Sequence, residues 1–224
     1  MTTLIAIRHG RTSANAQGIL AGRATGVYLD EVGIESSEAL AKRLEVVPIA
    51  HVVVSPLERT RQTAEILFPQ HQRVVQDDRF IECDYGDWQG QSLSELATLD
   101  LWSTVQNDPD QMIFPNGESM QDMFDRTLAG ISEWNASIAQ EFGSDAIWAL
   151  VSHGDVIKAV IAGALGLPLK NFQSIMIDPA SVNVIHYGEK TGVAKVNDTG
   201  EAWLQELKPV KTEPTLGGQT GQEA

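Results

Sequence analysis

The chain has 224 residues, 42% hydrophobic and 21% charged, with 19 glycines and 9 prolines; this fits one globular domain and excludes disordered, collagenous and coiled-coil classes. Sixteen Lys and Arg stand against 30 Asp and Glu, a formal net charge of -14, and that field repels nucleic acid and anionic membranes, so neither is an expected partner. A lone Cys83 excludes an internal disulfide, MTTLIAIRHG lacks the basic start and cleavage site of a signal peptide, and no apolar run approaches the ~18 residues of a membrane span, so a cytoplasmic protein is expected.

Short Val- and Ile-rich runs alternate with stretches at helical spacing, which predicts an α/β fold: a three-layer sandwich with a mainly parallel central sheet and helices on both faces. Strand Leu4 to Ile7 comes first, then a helix over Gly33 to Val47 with Leu40 and Leu44 inward. Strand His51 to Val54 runs into Ser55-Pro56-Leu57-Glu58, which reads as a helix start with Ser55 as N-cap, Pro56 at the first helical position and Glu58 closing a capping box. Leu57, Thr60, Ala64 and Leu67 mark the inner face of that helix, and a weaker strand follows at Arg73 to Gln76. From Trp88 to Ser119 the chain is polar and punctuated by Pro109, Pro115, Asn116 and Gly117. It reads as an insertion (88–119) over one face of the sheet, with short helical pieces at Ser92 to Leu96 and Leu101 to Val105. Helix Met120 to Phe142 carries Phe124, Leu128, Ile131, Trp134 and Ile138 at helical spacing, behind a cap from Ser119 and Asp122. Strand Ala146 to Val151, helix Val156 to Leu165 and strand Val182 to Tyr187 complete a domain over residues 1–207. Residues 208–224 have too little apolar surface to offset the entropy of ordering them. No internal repeat, GxGxxG or GxxxxGK[ST] occurs, so nucleotide-binding readings have no motif.

In open α/β sheets, ligands bind beyond the carboxyl ends of the strands. Here one strand ends in Arg8-His9-Gly10 and another in Ser152-His153-Gly154-Asp155, two His-Gly corners on the same edge. Arg59 falls in the first turn of a helix, where the dipole favours negative charge, and that local conflict points to an anion between them. Together these residues predict a phosphate or carboxylate site. Metal binding competes, since His is a common ligand, but no HExxH or clustered Cys/His spacing occurs and two guanidinium groups repel a cation. His51, His71 and His186 read as structural or solvated, Glu118 and Ser119 as the start of the long helix, and Tyr85 and Trp88 as core or pocket wall.

The stretches LIAIRHGRTSAN, SPLERTRQTAEIL, ECDYGDWQG, PNGES and VSHGDVIK follow one another between Leu4 and Lys158. In that order they resemble the histidine phosphatase superfamily, which includes cofactor-dependent phosphoglycerate mutases and many small phosphatases. The segment ILAGRATGVYLDEVG also resembles an actinobacterial branch described as probable phosphomutases. The resemblance implies that His9 attacks phosphorus to form a phosphohistidine, that Arg8, Arg59 and, if protonated, His153 hold the phosphoryl oxygens, and that Glu82 protonates the leaving group and then activates water. Phe80 and Ile81 beside Glu82 would help keep it protonated. Asn15, Gly22 and Gly154 are implied substrate contacts, although Asn15 also suits a turn or cap and Gly22 a turn-rich loop. No metal or other cofactor is implied, and the substrate is a small phosphomonoester.

Mutases of this family carry a basic cluster in the insertion that grips a bisphosphate. The matching LDLWSTVQNDPDQMIFPNGES holds no Lys or Arg and has Asp100, Asp108, Asp110 and Glu118, which would repel such a ligand. A phosphatase is therefore expected ahead of a mutase or a non-catalytic phosphate-binding protein. Leu101, Trp102, Met112 and Phe114 in the same stretch predict a leaving group that is neutral or cationic with an apolar portion.

Overall fold

The computed structural model describes residues 2–200. In chain order the elements are β1 (Thr2–Arg8), α1 (Ser13–Ala16), α2 (Glu31–Leu44), β2 (Ile49–Val54), α3 (Glu58–Leu67), β3 (Val74–Gln76), α4 (Leu93–Leu96), α5 (Asp100–Asn107), α6 (Met120–Phe142), β4 (Ile147–Ser152), α7 (Gly154–Leu165), β5 (Val182–Tyr187) and β6 (Gly192–Asp198). The sheet order is β3-β2-β4-β1-β5-β6. The first four strands in that order pair in parallel, and β5 and β6 add on antiparallel.

The central strands are apolar without alternation because both faces of the sheet are covered. On one face Leu4, Ala6, Val53, Trp148 and Leu150 meet Met123 and Ile131 of α6 and Ile157 and Val160 of α7. On the other, Ile5, Ile7, Val54 and Val151 meet Leu40 and Leu44 of α2 and Ala64 and Leu67 of α3. The three-layer α/β expectation holds. The insertion joins the first of these cores through Trp88, Leu96, Val105, Met112 and Phe114, so it is anchored by apolar burial. Among the described residues no helix is long and apolar enough to cross a membrane. Residues 208–224, expected to be unstructured, lie outside the described residues.

Three local expectations are corrected. Strand β6 was not foreseen: as an edge strand it has only one neighbour to satisfy, and its mostly exposed GVAKVND carries little apolar signal. Helix α6 does bury Ile131 and Ile138, but the rest of its inner face is Met120, Met123, Thr127 and Gly130. Thr127 turns its hydroxyl back onto the Met123 carbonyl at 2.8 Å, and Gly130 lets the Phe80 ring approach to where a Cβ would meet it at 2.8 Å, two residue types that an apolar count omits. Most consequential is Ser55. Helix α3 begins three residues later, with Leu57 as an N-cap that makes no side-chain bond. The backbone at Ser55 is still tied to the sheet, its N–H donating to the Val151 carbonyl at 3.0 Å. Thr60 Oγ1 reaches the Ser55 and Leu57 carbonyls, and the Ser55 hydroxyl goes elsewhere.

Candidate active site

Parallel pairing of β1 with β4 puts Arg8 opposite Ser152, and His9 N–H continues the ladder to the Ser152 carbonyl at 2.9 Å. Both His-Gly corners therefore emerge side by side, with the His9 and His153 ring centroids 5.3 Å apart. Gly10 is where this edge meets α2: a Cβ there would lie 2.5 Å from the Gly33 carbonyl oxygen and 2.8 Å from Ser37 Oγ, so only glycine lets the helix come this close.

Two independent contacts fix the His9 tautomer. Nδ1 lies 2.7 Å from the Gly10 carbonyl, which can only accept, so Nδ1 carries the proton. Arg59 Nε, which can only donate, points at Nε2 from 3.2 Å, so Nε2 holds a lone pair. Burial first, and then the charges of Arg59 and Arg8, push the His9 pKa well below that of ordinary imidazole. The ring is neutral, with an Nε2 lone pair, between two cations.

Arg59 Nη2 donates to the Gly22 carbonyl at 2.7 Å. Gly22 has φ +51°, a left-handed conformation that suits glycine, and a Cβ would meet the Gln89 side chain at 2.9 Å. Arg59 Nη1 is buried with no hydrogen-bond partner among the described residues, as is His153 Nδ1. Burial lowers the Arg59 pKa to about 10, which leaves it charged at neutral pH. Arg8 is likewise buried, with Nη1 donating to the Ile177 carbonyl at 2.7 Å.

His153 Nε2 lies 2.6 Å from Ser55 Oγ. Burial, then Arg59, His9 and Arg8, push its pKa well below the imidazole value, which favours the neutral ring. A neutral ring that accepts from the Ser55 hydroxyl at Nε2 still presents Nδ1–H as a donor. A phosphate dianion alongside would move the pKa back up. Gly154 is the first residue of α7, where backbone N–H groups favour an anion.

Glu82 is 4% exposed, with Oε1 accepting from the Cys83 N–H at 3.0 Å. Burial and then the Asp155 charge raise its pKa to about 8, against the opposing pull of Arg59 and Arg8; a carboxyl that stays protonated at neutral pH is what a general acid requires. Asp155, buried under the site, accepts from Tyr85 Oη at 2.8 Å and faces Lys158 Nζ at 3.6 Å.

Asn15 is placed as a cap: its Oδ1 accepts from Thr12 N–H at 3.1 Å and Thr12 Oγ1 at 2.9 Å, so any contact with an anion falls to Nδ2. Tyr85, Trp88, Met112 and Phe114 are all buried in the core, and Trp102 stacks on Trp88 at 6.2 Å. Of the four residues behind the expected apolar leaving group, Met112 and Phe114 are therefore core, Trp102 is partly buried against that core, and Leu101 is exposed. His186 bonds Thr3 Oγ1, His71 bonds the Ile49 carbonyl, and His51 packs on Trp134; none joins the site.

Sequence reasoning missed Ser55, and it missed two arginines on Glu82. Arg23 Nε and Arg126 Nη2 both donate to the Glu82 carbonyl, at 2.9 and 3.2 Å. Arg23 had a signal, its place next to Gly22. Arg126 had none beyond lying on the polar side of a long helix.

Residues 4–199 match the histidine phosphatase superfamily (branch 1). The chain is 30% identical to phosphoserine phosphatase 1 of Hydrogenobacter thermophilus, over 94% of this chain and 100% of that protein. It is 29% identical to a Proteus mirabilis protein named probable phosphoglycerate mutase GpmB, over 84% and 86%. The solved alpha-ribazole phosphatase of Shigella flexneri superposes with a TM-score of 0.77 at 27% identity, over 88% of this chain and 96% of that one. With the motifs, the fold and the clustered His9, Arg8, Arg59 and His153 in agreement, the chain belongs to the histidine phosphatase superfamily.

Proposed function

We propose that the protein hydrolyses a small phosphomonoester, with His9 as nucleophile, Arg8, Arg59 and His153 as phosphoryl ligands and Glu82 as general acid and base. The observation that carries these roles is the state of His9: Nδ1–H tied to Gly10, Nε2 unprotonated, and two buried donors, Arg59 Nη1 and His153 Nδ1, lacking acceptors among the described residues. An oxyanion at Nε2 would satisfy both.

In the first step the Nε2 lone pair forms a bond to phosphorus while the ester P–O bond breaks, and Glu82 gives its proton to the departing alkoxide. Arg59 Nε gives up Nε2 and turns to a phosphoryl oxygen, so the guanidinium follows the charge as it moves. In the second step the Glu82 carboxylate takes a proton from water, the water oxygen bonds phosphorus, and the P–N bond pair returns to Nε2. Guanidinium groups match phosphate as planar forks and supply the positive charge directly. Phosphoserine and alpha-ribazole phosphate, named for the relatives, head the list of compounds to try. The net charge of -14 argues against nucleic-acid or membrane partners and repels an anionic substrate at long range, so capture of the phosphoryl group rests on the local guanidinium groups. Residues 1–207 are the catalytic unit of this proposal, with 88–119 lying over the site. Supporting that placement, Leu20 N–H bonds the Gln91 carbonyl and Gly90 N–H bonds the Leu20 carbonyl, which joins the insertion to the loop carrying Gly22.

Mutase activity is the second reading, favoured by the likeness to the mutase-named relative. Against it, Arg23 and Arg126 beside the acid are already engaged by Glu118 and Asp84. Rapid-quench labelling with EDTA present separates the cases: we expect phosphate on His9, free phosphate as product, and a loss of roughly four orders of magnitude or more in His9→Ala. Label on another residue ends the nucleophile assignment. Loss of activity on chelation, restored by metal, ends the metal-independent mechanism, and transfer of label to a phosphoglycerate acceptor makes the protein a mutase.

A further inference from the structure

Glu118 is a carboxylate at the site that the reaction as written does not use. Starting the long helix falls to Ser119, whose Oγ accepts from Asp122 N–H at 2.9 Å. Glu118, only 16% exposed at its side chain, faces the other way. Its Oε1 accepts from Asp84 N–H at 2.9 Å, Arg23 Nη2 at 3.0 Å and Arg126 Nη2 at 2.7 Å, and its Oε2 accepts from Arg126 Nε at 3.2 Å. The same two arginines converge on the Glu82 carbonyl oxygen. Arg126 Nη1 adds a 2.7 Å bond to the Arg79 carbonyl. A closed ring of charge-assisted hydrogen bonds thus encloses residues 79–84.

The segment needs such a ring. Residues 81–85, between two single helical turns at Asp78–Phe80 and Gly86–Trp88, belong to no helix or strand, so no backbone ladder fixes the height or direction of Glu82. Hydrogen bonds with an ionised partner are roughly twice as strong as neutral ones, and arginine's planar fork sets direction as well as distance. Arg23 extends the ring toward the nucleophile, because its neighbour Gly22 accepts from Arg59.

We propose that Glu118, through Arg23 and Arg126, is a positioning clamp that holds the Glu82 carboxyl in line with the leaving-group oxygen. This rests on the reading of Glu82 as the acid. The clamp bonds directly to the Glu82 carbonyl and reaches the phosphoryl ligands only through the Gly22 carbonyl that Arg59 bonds, so its loss should appear chiefly where a proton must be delivered.

The variants are Glu118→Gln and Arg23→Gln, the second at a side chain already 29% exposed and therefore safe for folding. Poor leaving groups depend on the acid and p-nitrophenolate hardly does, so we expect turnover of an alkyl phosphate to fall about 30-fold in Glu118→Gln and that of p-nitrophenyl phosphate less than about threefold. Affinity for inorganic phosphate should not change. The Cys83 amide, bonded to the Glu82 carboxyl, should exchange with solvent about tenfold faster while amides of β1 keep their rates. Equal losses on both substrates, or weakened phosphate binding, would assign Glu118 to general stability and overturn the clamp; so would unchanged Cys83 exchange. A wild type inactive on every phosphomonoester would instead break the hydrolase reading, and Cys83 exchange would still decide the clamp.

Discussion

Arg8, His9 and His153 sit where two neighbouring parallel strands stop; backbone contacts orient the first two, His9 N–H to Ser152, His9 Nδ1 to Gly10 and Arg8 to Ile177, and the Ser55 hydroxyl meets the His153 ring. Glu82 sits on irregular chain and is held by side chains that arrive from a loop at Arg23 and from α6 at Arg126. In the first region the sheet itself sets the geometry, so a change of side chain removes a chemical group and leaves its neighbours in place. In the second, geometry and charge are carried by the same few side chains, and removing one shifts the others.

The sharpest way to test that difference is Glu82→Gln. We expect alkyl phosphate turnover to fall by about 10²-fold or more and p-nitrophenyl phosphate turnover by much less, under conditions where phosphoenzyme formation limits the rate. The pH dependence follows from the shifted pKa values. Activity needs Glu82 protonated, so in the wild type it declines as pH rises through about 8. It also needs His9 neutral, and since burial pushes that pKa well below that of ordinary imidazole, the acid limb lies lower still. A phosphomonoester's own second ionisation, near about 6, crowds that side, which makes the alkaline limb diagnostic. In Glu82→Gln the alkaline limb should vanish. A limb that persists unchanged would mean that another group titrates there and that Glu82 is not the acid.

The same division explains what could be read without coordinates. Strand-end corners are local signals: RHG and SHG each follow an apolar run, and parallel α/β topology puts such corners together. Ser55 was misread because Ser-Pro-x-Glu has the local form of a helix cap, and only pairing of β2 with β4 brings its hydroxyl to His153. Arg23 stands beside Gly22, but nothing in the sequence pairs it or Arg126 with Glu82, since they lie 59 and 44 residues from it along the chain. Residues 99–119 hold no basic residue of their own, yet Arg23 and Arg126 reach Glu118 in that segment from elsewhere in the chain. Thr127 and Gly130 escaped because apolar periodicity counts neither a hydroxyl that satisfies itself on its own helix nor a glycine that admits a ring.

Ser55→Ala probes the strand-end region more gently. It leaves His153 in place, held by the pairing of β4, and removes the group opposite Nε2. One hydrogen bond of this kind is worth about 1 kcal/mol, so we expect a fall of about five- to tenfold for alkyl and aryl phosphates alike. The equality matters more than the size, because the role proposed for His153 is to hold the phosphoryl group that both substrates share. Ser55→Thr, which restores a hydroxyl, should recover part of the loss. A leaving-group-dependent effect in Ser55→Ala would mean that the two regions are coupled and that the division drawn above is too clean.

The smallest expected effect belongs to Asp84→Asn, two residues from the acid. Asp84 Oδ1 accepts from the Gly86 N–H at 3.1 Å, and Oδ2 reaches Arg23 Nη1 only at 3.4 Å with the side chain 38% exposed. An ion pair this long and this wet contributes about 1 kcal/mol at most. Asparagine keeps the acceptor for Gly86 while Arg23 keeps Glu118, so the ring around Glu82 stays closed. Both substrates should lose less than about threefold, with the alkaline limb near its wild-type position. Steady-state rates on an alkyl and an aryl phosphate across pH decide the matter. Should the unequal loss appear in Asp84→Asn while Glu82→Gln falls equally on both substrates, the acid moves to Asp84. The strand-end region would stand, and the side-chain ring would then have been holding the wrong carboxylate.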